Sequence, residues 1–281
     1  MGVARIIDVT PRDGLQDLDQ FVETAIKVEL VNRLVEAGVQ WIEVASFVSP
    51  KMVPQMADAE VVLSRLPTSI AQWIALIPNR RGYDRAKLTH AHYLTYVVSA
   101  SPRHQQDNVG RPLEASLREF ESLAEQSNNK MKLRGAVSCA FGSPYSEEVG
   151  GEEVVAEIAR RYVAAGACEI VLADTVGVAT PEKVDRIVRG VQAAVLDVPL
   201  AIHFHDRAGL GQENVKAALN LGIRRFESAL AGLGGCPFAP NAPGNLNSVK
   251  LVTWLEGWGY DTGIDIQRLA DTEEWLTQIV S

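Results

Sequence analysis

The sequence predicts an α/β fold, a closed (β/α)₈ TIM barrel. Three observations carry that expectation. Eight short apolar runs alternate with eight longer amphipathic segments. The 281 residues match the length that eight such units need. Polar residues able to do chemistry collect just after the apolar runs, where a barrel places its functional loops. An open doubly wound sheet is the competing arrangement, because periodicity does not report closure.

The units follow in order. A run near residues 4–9 leads to a helical pattern in which Val22, Ile26, Leu30, Leu34 and Val35 recur mostly at steps of four, stopped by Gly38. Trp41 to Ala45 forms the second run; beyond Pro54, Val61, Val62, Leu63 and Leu66 mark another helix. Further strands are expected near 70–77, 93–98, 133–138, 169–173, 199–204 and 225–230, each rich in β-branched or other apolar residues. Helices fill the gaps near 80–88, 113–126, 151–165, 181–195, 210–221 and 247–258, and a last one near 265–279 packs outside the barrel. No Ser/Gly linker or charge block interrupts the series, so residues 1–281 read as a single domain.

Composition narrows the function. Acidic residues outnumber basic ones, 35 to 27, giving a net charge of −8, which lacks the basic footprint that nucleic acid requires. No apolar stretch approaches the length of a membrane helix. Cys139, Cys168 and Cys236 are too few and too scattered for a disulfide framework, and no export signal opens the chain, so a reducing cytoplasm is expected.

The sharpest motif is His203-Phe204-His205 at the end of an apolar run. Residues i and i+2 on a strand share a face, so both imidazoles can reach one metal ion while Phe204 packs the other way. Asp206 is expected either to orient one imidazole or to cap the next helix. After the first run, Asp13 offers a hard oxygen ligand and Arg12 a permanent positive charge. Glu43 and Asp174 are carboxylates at strand ends, facing either the site or the helix layer, with Thr175 beside the second. The loop from Gly232 to Gly244 combines glycines, prolines and the thiol of Cys236, which suits a mobile acid or base; a phosphate cradle is the competing reading. Arg207 follows the histidine strand, where it would meet a carboxylate or phosphate group of a ligand, or else face solvent in the first turn of the seventh helix.

Taken together, Thr10-Pro-Arg-Asp-Gly-Leu-Gln16, Ile42 to Pro50, Arg134 to Cys139, Asp174 to Val178, His203 to Asp206 and Ala231-Gly-Leu-Gly-Gly-Cys-Pro237 resemble the 3-hydroxy-3-methylglutaryl-CoA lyase family of metal-dependent TIM barrels. The resemblance covers nearly the whole chain. It implies Asp13, His203, His205 and Asn245 as ligands of a divalent metal, Mg²⁺ or Mn²⁺. It also implies Arg12 as catalytic arginine, Cys236 as the loop cysteine, and Glu43, Asp174, Gln16 and Tyr145 as lining the substrate site. Three stretches depart from the family's pattern: Ser101 to Val109, Arg207-Ala208, and Asn247 to Lys250. The first two bear on the acyl group.

The expected activity is therefore cleavage of a C–C bond in a 3-hydroxyacyl-CoA, yielding acetyl-CoA and a keto acid. Asp174, Glu43 or a histidine would serve as base, and Cys236 or a metal-bound His203 would help protonate the carbon of the leaving enolate. A Claisen synthase on the same fold and a non-catalytic metal or acyl-CoA binder are the alternatives. The expected partner is a small acyl-CoA, with neither nucleic acid nor membrane; a homodimer or higher homo-oligomer is left open.

Overall fold

A computed structural model of the chain describes residues 2–68, 70–128, 131–145, 151–206, 209–235 and 244–280. Eight parallel strands close into a barrel: Arg5–Asp8, Trp41–Ser46, Gln72–Ile77, Tyr93–Ser99, Lys132–Ser138, Glu169–Asp174, Leu200–Phe204 and Arg225–Ser228, here barrel strands 1 to 8. Closure is made by strand 1, which pairs with strand 2 through Ile7 and Trp41 and with strand 8 through Arg5 and Arg225. The closed barrel, rather than the open sheet, is the fold.

The helices are α1 (Thr24–Glu36), α2 (Ala59–Arg65), α3 (Arg80–Ala86), α4 (Pro102–Val109), α5 (Leu113–Ser127), α6 (Glu152–Ala164), α7 (Pro181–Ala194), α8 (Gly211–Asn220), α9 (Ser248–Gly257) and α10 (Ile266–Val280). Gly38, at φ +95°, ends the α1 unit in the left-handed region that glycine enters without steric cost. Helix α4 is the one that apolar periodicity does not reveal. Its sequence, Pro-Arg-His-Gln-Gln-Asp-Asn-Val, has almost no apolar face, and it forms because the Ser101 side chain caps the His104 amide and Gly110 ends it at φ +73°.

Side chains of the strands alternate between two apolar regions. Outward residues such as Ile6, Ile42, Trp73, Leu94 and Phe204 pack under the helices in the larger core. Inward residues Ile7, Val9, Ile74, Ala136, Val171, Ala201 and Ala229 fill the barrel. Among the inward residues sits a charged layer. Arg134 has no exposure, and Glu43, Glu169 and Glu227 are buried around it. Helix α10 packs outside against α1, with Arg33 over the Trp275 ring at 4.6 Å, and its Glu273 reaches the rim to accept the Ala231 amide and the Asn247 Nδ2 at 2.5 and 2.7 Å.

Gly135 on strand 5 is required by a close approach. A Cβ there would lie 2.5 Å from the Tyr162 ring, which is itself pinned by hydrogen bonds from its hydroxyl to the Tyr96 and Ala136 carbonyls at 3.1 and 3.3 Å. Gly135→Ala is therefore expected to destabilise the fold by about 1–3 kcal/mol, read as a lower midpoint in urea unfolding.

Candidate functional site

At the C-terminal end of strand 1 the chain does not turn tightly. It makes one π-helical turn, Thr10–Gly14, in which the Val9 carbonyl collects the amides of Arg12, Asp13 and Gly14 at 3.2, 2.8 and 3.2 Å. This turn sets Arg12 and Asp13 side by side. The Arg12 Nε donates to Glu43 Oε2 at 2.5 Å, and its Nη1 pairs with Asp13. Glu43 thus faces the barrel interior, one of the two orientations open to it from sequence, just before a register shift in strand 2. Asp13 also accepts from Gln16 Nε2 at 3.1 Å and from Asn245 Nδ2 at 2.7 Å.

His203 and His205 lie on one face, ring centroids 5.0 Å apart, while Phe204 turns outward onto Phe141, as alternation requires. Ligand atoms of Asp13, His203 and His205 all lie within 4.8 Å of one another, and all three residues are buried. Asn245 pairs with His205 in an isolated antiparallel bridge, which brings the fourth expected ligand to the same place.

The site contains atoms that ask for a cation. Among the described residues, none hydrogen-bonds to either buried ring nitrogen of His205 or to the buried Asn245 Oδ1, a costly state unless something binds them. Two imidazoles, a carboxylate and an amide oxygen form a borderline-to-hard donor set that fits Mn²⁺ or Mg²⁺.

Charges in the site balance through burial and pairing. Burial opposes ionisation of Asp13, yet Arg12 and the two histidines outweigh it and hold its carboxyl below the usual range. Burial dominates at Glu43 and raises its pKa against the pull of Arg12. His205 is driven down to about 4 by burial and by His203. His203 goes the other way: burial opposes its charge, but the hydrogen bond to Glu227 and the nearby Asp13 raise it.

That hydrogen bond, His203 Nδ1 to Glu227 Oε2 at 3.0 Å, shows which carboxylate orients the imidazole. Asp206 does not; its Oδ1 accepts the Gly211 amide at the start of α8. Glu227 was hidden in an apolar run. Its signal was a charge at an inward strand position, matched by Arg134 and Glu169 at inward positions of neighbouring strands.

The remaining candidates have definite partners. Asp174 stands on the outward phase of strand 6, and its two oxygens accept the amides of Val178 and Ala179 at 2.9 and 3.0 Å. The Thr175 hydroxyl accepts the Cys139 amide at 2.8 Å, bracing a residue held at φ +56°. Tyr145 donates to Asp107 Oδ2 at 2.6 Å beneath the Arg103 guanidinium. Cys139 and Cys168 lie just outside strands 5 and 6. Cys236 and Arg207 lie outside the described residues.

Known proteins resemble this chain over nearly its whole length. The HMGL-like family model matches residues 4–276. The chain belongs to the HMGL-like family. It is 39% identical to the (R)-citramalyl-CoA lyase of Chloroflexus aurantiacus, over 99% of this chain and 91% of that protein. It is 37% identical to the hydroxymethylglutaryl-CoA lyase of Pseudomonas mevalonii, over 96% and 90%. Among solved structures, the HMG-CoA lyase of Acinetobacter baumannii in complex with coenzyme A and 3-methylmalate superposes with a TM-score of 0.95 at 38% identity, covering 99% of this chain and 91% of that one. This member of the family is a carbon–carbon lyase.

Within this HMGL-like chain, the loop that leads to Cys236 begins in contact with the ligands. Asn245 Nδ2 donates to the Leu233 carbonyl at 2.7 Å, and a Cβ on Gly234, at φ +99°, would lie 2.5 Å from Asn245 Nδ2 and 2.8 Å from the Asp13 carbonyl. Gly234→Ala is expected to cut Mn²⁺ affinity by about 10–100-fold in calorimetric titration, with an unchanged far-ultraviolet circular dichroism spectrum.

Proposed function

We propose that this protein is a divalent-metal-dependent lyase that cleaves a 3-hydroxyacyl-CoA bearing a distal carboxylate into acetyl-CoA and a keto acid. The observation that carries the reading is the meeting of Asp13, His203 and His205 within one coordination sphere, against the Arg12–Glu43 pair. A bound Mg²⁺ or Mn²⁺ would act there as a Lewis acid, lowering the pKa of the substrate hydroxyl.

The protein residues divide the remaining work. A base removes the C3 hydroxyl proton, the C2–C3 bond breaks, and its electron pair passes into a thioester enolate. Glu43 is the base that the geometry favours, since it faces the interior beside Arg12 and burial raises its proton affinity. Asp174 has its oxygens engaged by loop amides, and His203 has one nitrogen committed to Glu227. Arg12 stands next to the metal-ligand set, where its fixed charge stabilises the enolate oxygen. Cys236, on the loop that starts against Asp13 and Asn245, would return a proton to C2. The family resemblance adds Gln16 and Tyr145 as residues that would meet the substrate, and their places in the sequence add Thr175 and Arg207.

The relatives support two readings of the acyl group. The family reading favours hydroxymethylglutaryl-CoA, which would give acetoacetate. Identity to a citramalyl-CoA lyase supports a second reading, a substrate one methylene shorter, which by the same bond cleavage gives pyruvate.

Acetyl-CoA release from both thioesters, measured before and after chelation, separates these readings. Activity is expected to vanish with EDTA and return with Mg²⁺ or Mn²⁺; undiminished turnover by metal-free protein would sink the proposal. Arg12→Lys keeps the charge but loses the planar fork, and kcat should fall by about 100-fold or more with metal affinity little changed. His205→Ala should instead lose activity through metal affinity, visible in calorimetry as a larger Kd.

A further inference from the structure

Glu227 is held from two sides. Its Oε2 faces His203 Nδ1 at 3.0 Å, and its Oε1 accepts from Arg134 Nη2 at 2.8 Å. Arg134 has no exposure, and its other donors are committed: Nε to Glu169 Oε1 at 2.6 Å and Nη1 to Thr95 Oγ1 at 3.0 Å. Glu169 is fixed in turn by Arg225. The chain of contacts runs from the lower barrel layers to the ring of one metal-site histidine.

We infer that Glu227, locked in direction by Arg134, is the positioning residue that makes His203 a ligand, by forcing its ring proton onto Nδ1 and leaving the Nε2 lone pair for the metal. This rests on the metal-dependent reading above. The logic is one of donors and acceptors. A guanidinium only donates and a carboxylate only accepts, so both oxygens of Glu227 receive hydrogen atoms and His203 must supply one. A neutral imidazole has one proton to place; once Nδ1 holds it, Nε2 is an acceptor. Among the described residues, no carboxylate is hydrogen-bonded to the ring of His205.

Replacing Glu227 by glutamine inverts the arrangement without changing its size. A glutamine side chain has one acceptor oxygen and one donor amide group. Because Arg134 can only donate, the oxygen turns to Arg134 and the amide group turns to His203. The ring must then accept at Nδ1 and carry its proton on Nε2, aimed at the site where a ligand lone pair is needed.

The test is Glu227→Gln, read in two ways. Calorimetric titration of metal-stripped protein with Mn²⁺ is expected to show affinity about 10–100-fold weaker than wild type. Long-range ¹⁵N-histidine spectra at alkaline pH should show His203 protonated at Nδ1 in Mg²⁺-loaded wild type and at Nε2 in the variant. A residue that only supported the fold would weaken binding without moving the proton. If the variant fails to fold, the wild-type spectrum still decides: a proton on Nε2 of His203 overturns the inference. Wild type that binds no Mn²⁺ removes the metal-dependent reading and this inference with it. Wild type that binds Mn²⁺, with a variant that binds it equally and keeps the Nδ1 proton, overturns the inference alone.

Discussion

The buried guanidinium of Arg134 is the interaction on which the rest of this barrel depends. A charge in an apolar interior is tolerated only when it is paired and hydrogen-bonded, and each nitrogen of Arg134 has a partner, in Glu169, Glu227 or Thr95. Its partners are constrained in the same way. Burial opposes the charge of Glu227, yet Arg134 and His203 outweigh it and hold the carboxyl at about 2. The pairing therefore works in both directions: the arginine permits the glutamates, and the glutamates keep the arginine charged.

This cluster explains how a candidate metal-ligand set can sit in a barrel otherwise filled with small and branched apolar residues. Ile7, Ile74 and Val171 line the same interior, and Asp13 and the histidines stand toward its C-terminal rim. Glu43 and Glu227 are close enough for each to oppose the other's ionisation, and a cation stands beside each, Arg12 for the first and Arg134 for the second. Two acid–base pairs thus share one interior. The one nearer the rim has the raised carboxylate, which suits proton transfer, and the one below has the depressed carboxylate, which suits orientation.

Backbone devices at the rim complete the site. The π-helical turn after strand 1 adds a residue to an ordinary turn, so that Arg12 and Asp13 both project toward the histidines. Cys139 and Ala231 are non-glycine residues in the left-handed region, at φ +56° and +53°, and each is held by a side chain from another element, Thr175 or Glu273. The second of these gives the outer C-terminal helix a part in shaping the loop that leads to Cys236. Helix α10 is an appendage by topology, but it fastens the loop's start through Ala231 and its return through Asn247.

Much of this was determined by the sequence itself. Alternating apolar runs and amphipathic segments specify a parallel sheet covered by helices, because each strand must bury both faces and each helix only one, while closure into a barrel is decided by the pairing of the first strand with the last. His-Phe-His states that two imidazoles share a face, since a strand has a period of two, and Arg-Asp after the first run places both groups on the rim. Tertiary structure alone decided what those groups meet. Glu43 faces the interior and Asp174 serves the 175–180 loop, though both are carboxylates near strand ends, because the phase of each strand against the barrel axis settles which side a residue takes. Asp206 is the neighbour of His205 in sequence, yet Glu227, 24 residues from His203, is the carboxylate on its ring. Its own anchor, Arg134, lies 93 residues away. Such partners come together only when the eight strands close with a fixed stagger, and local pattern carries no record of that register.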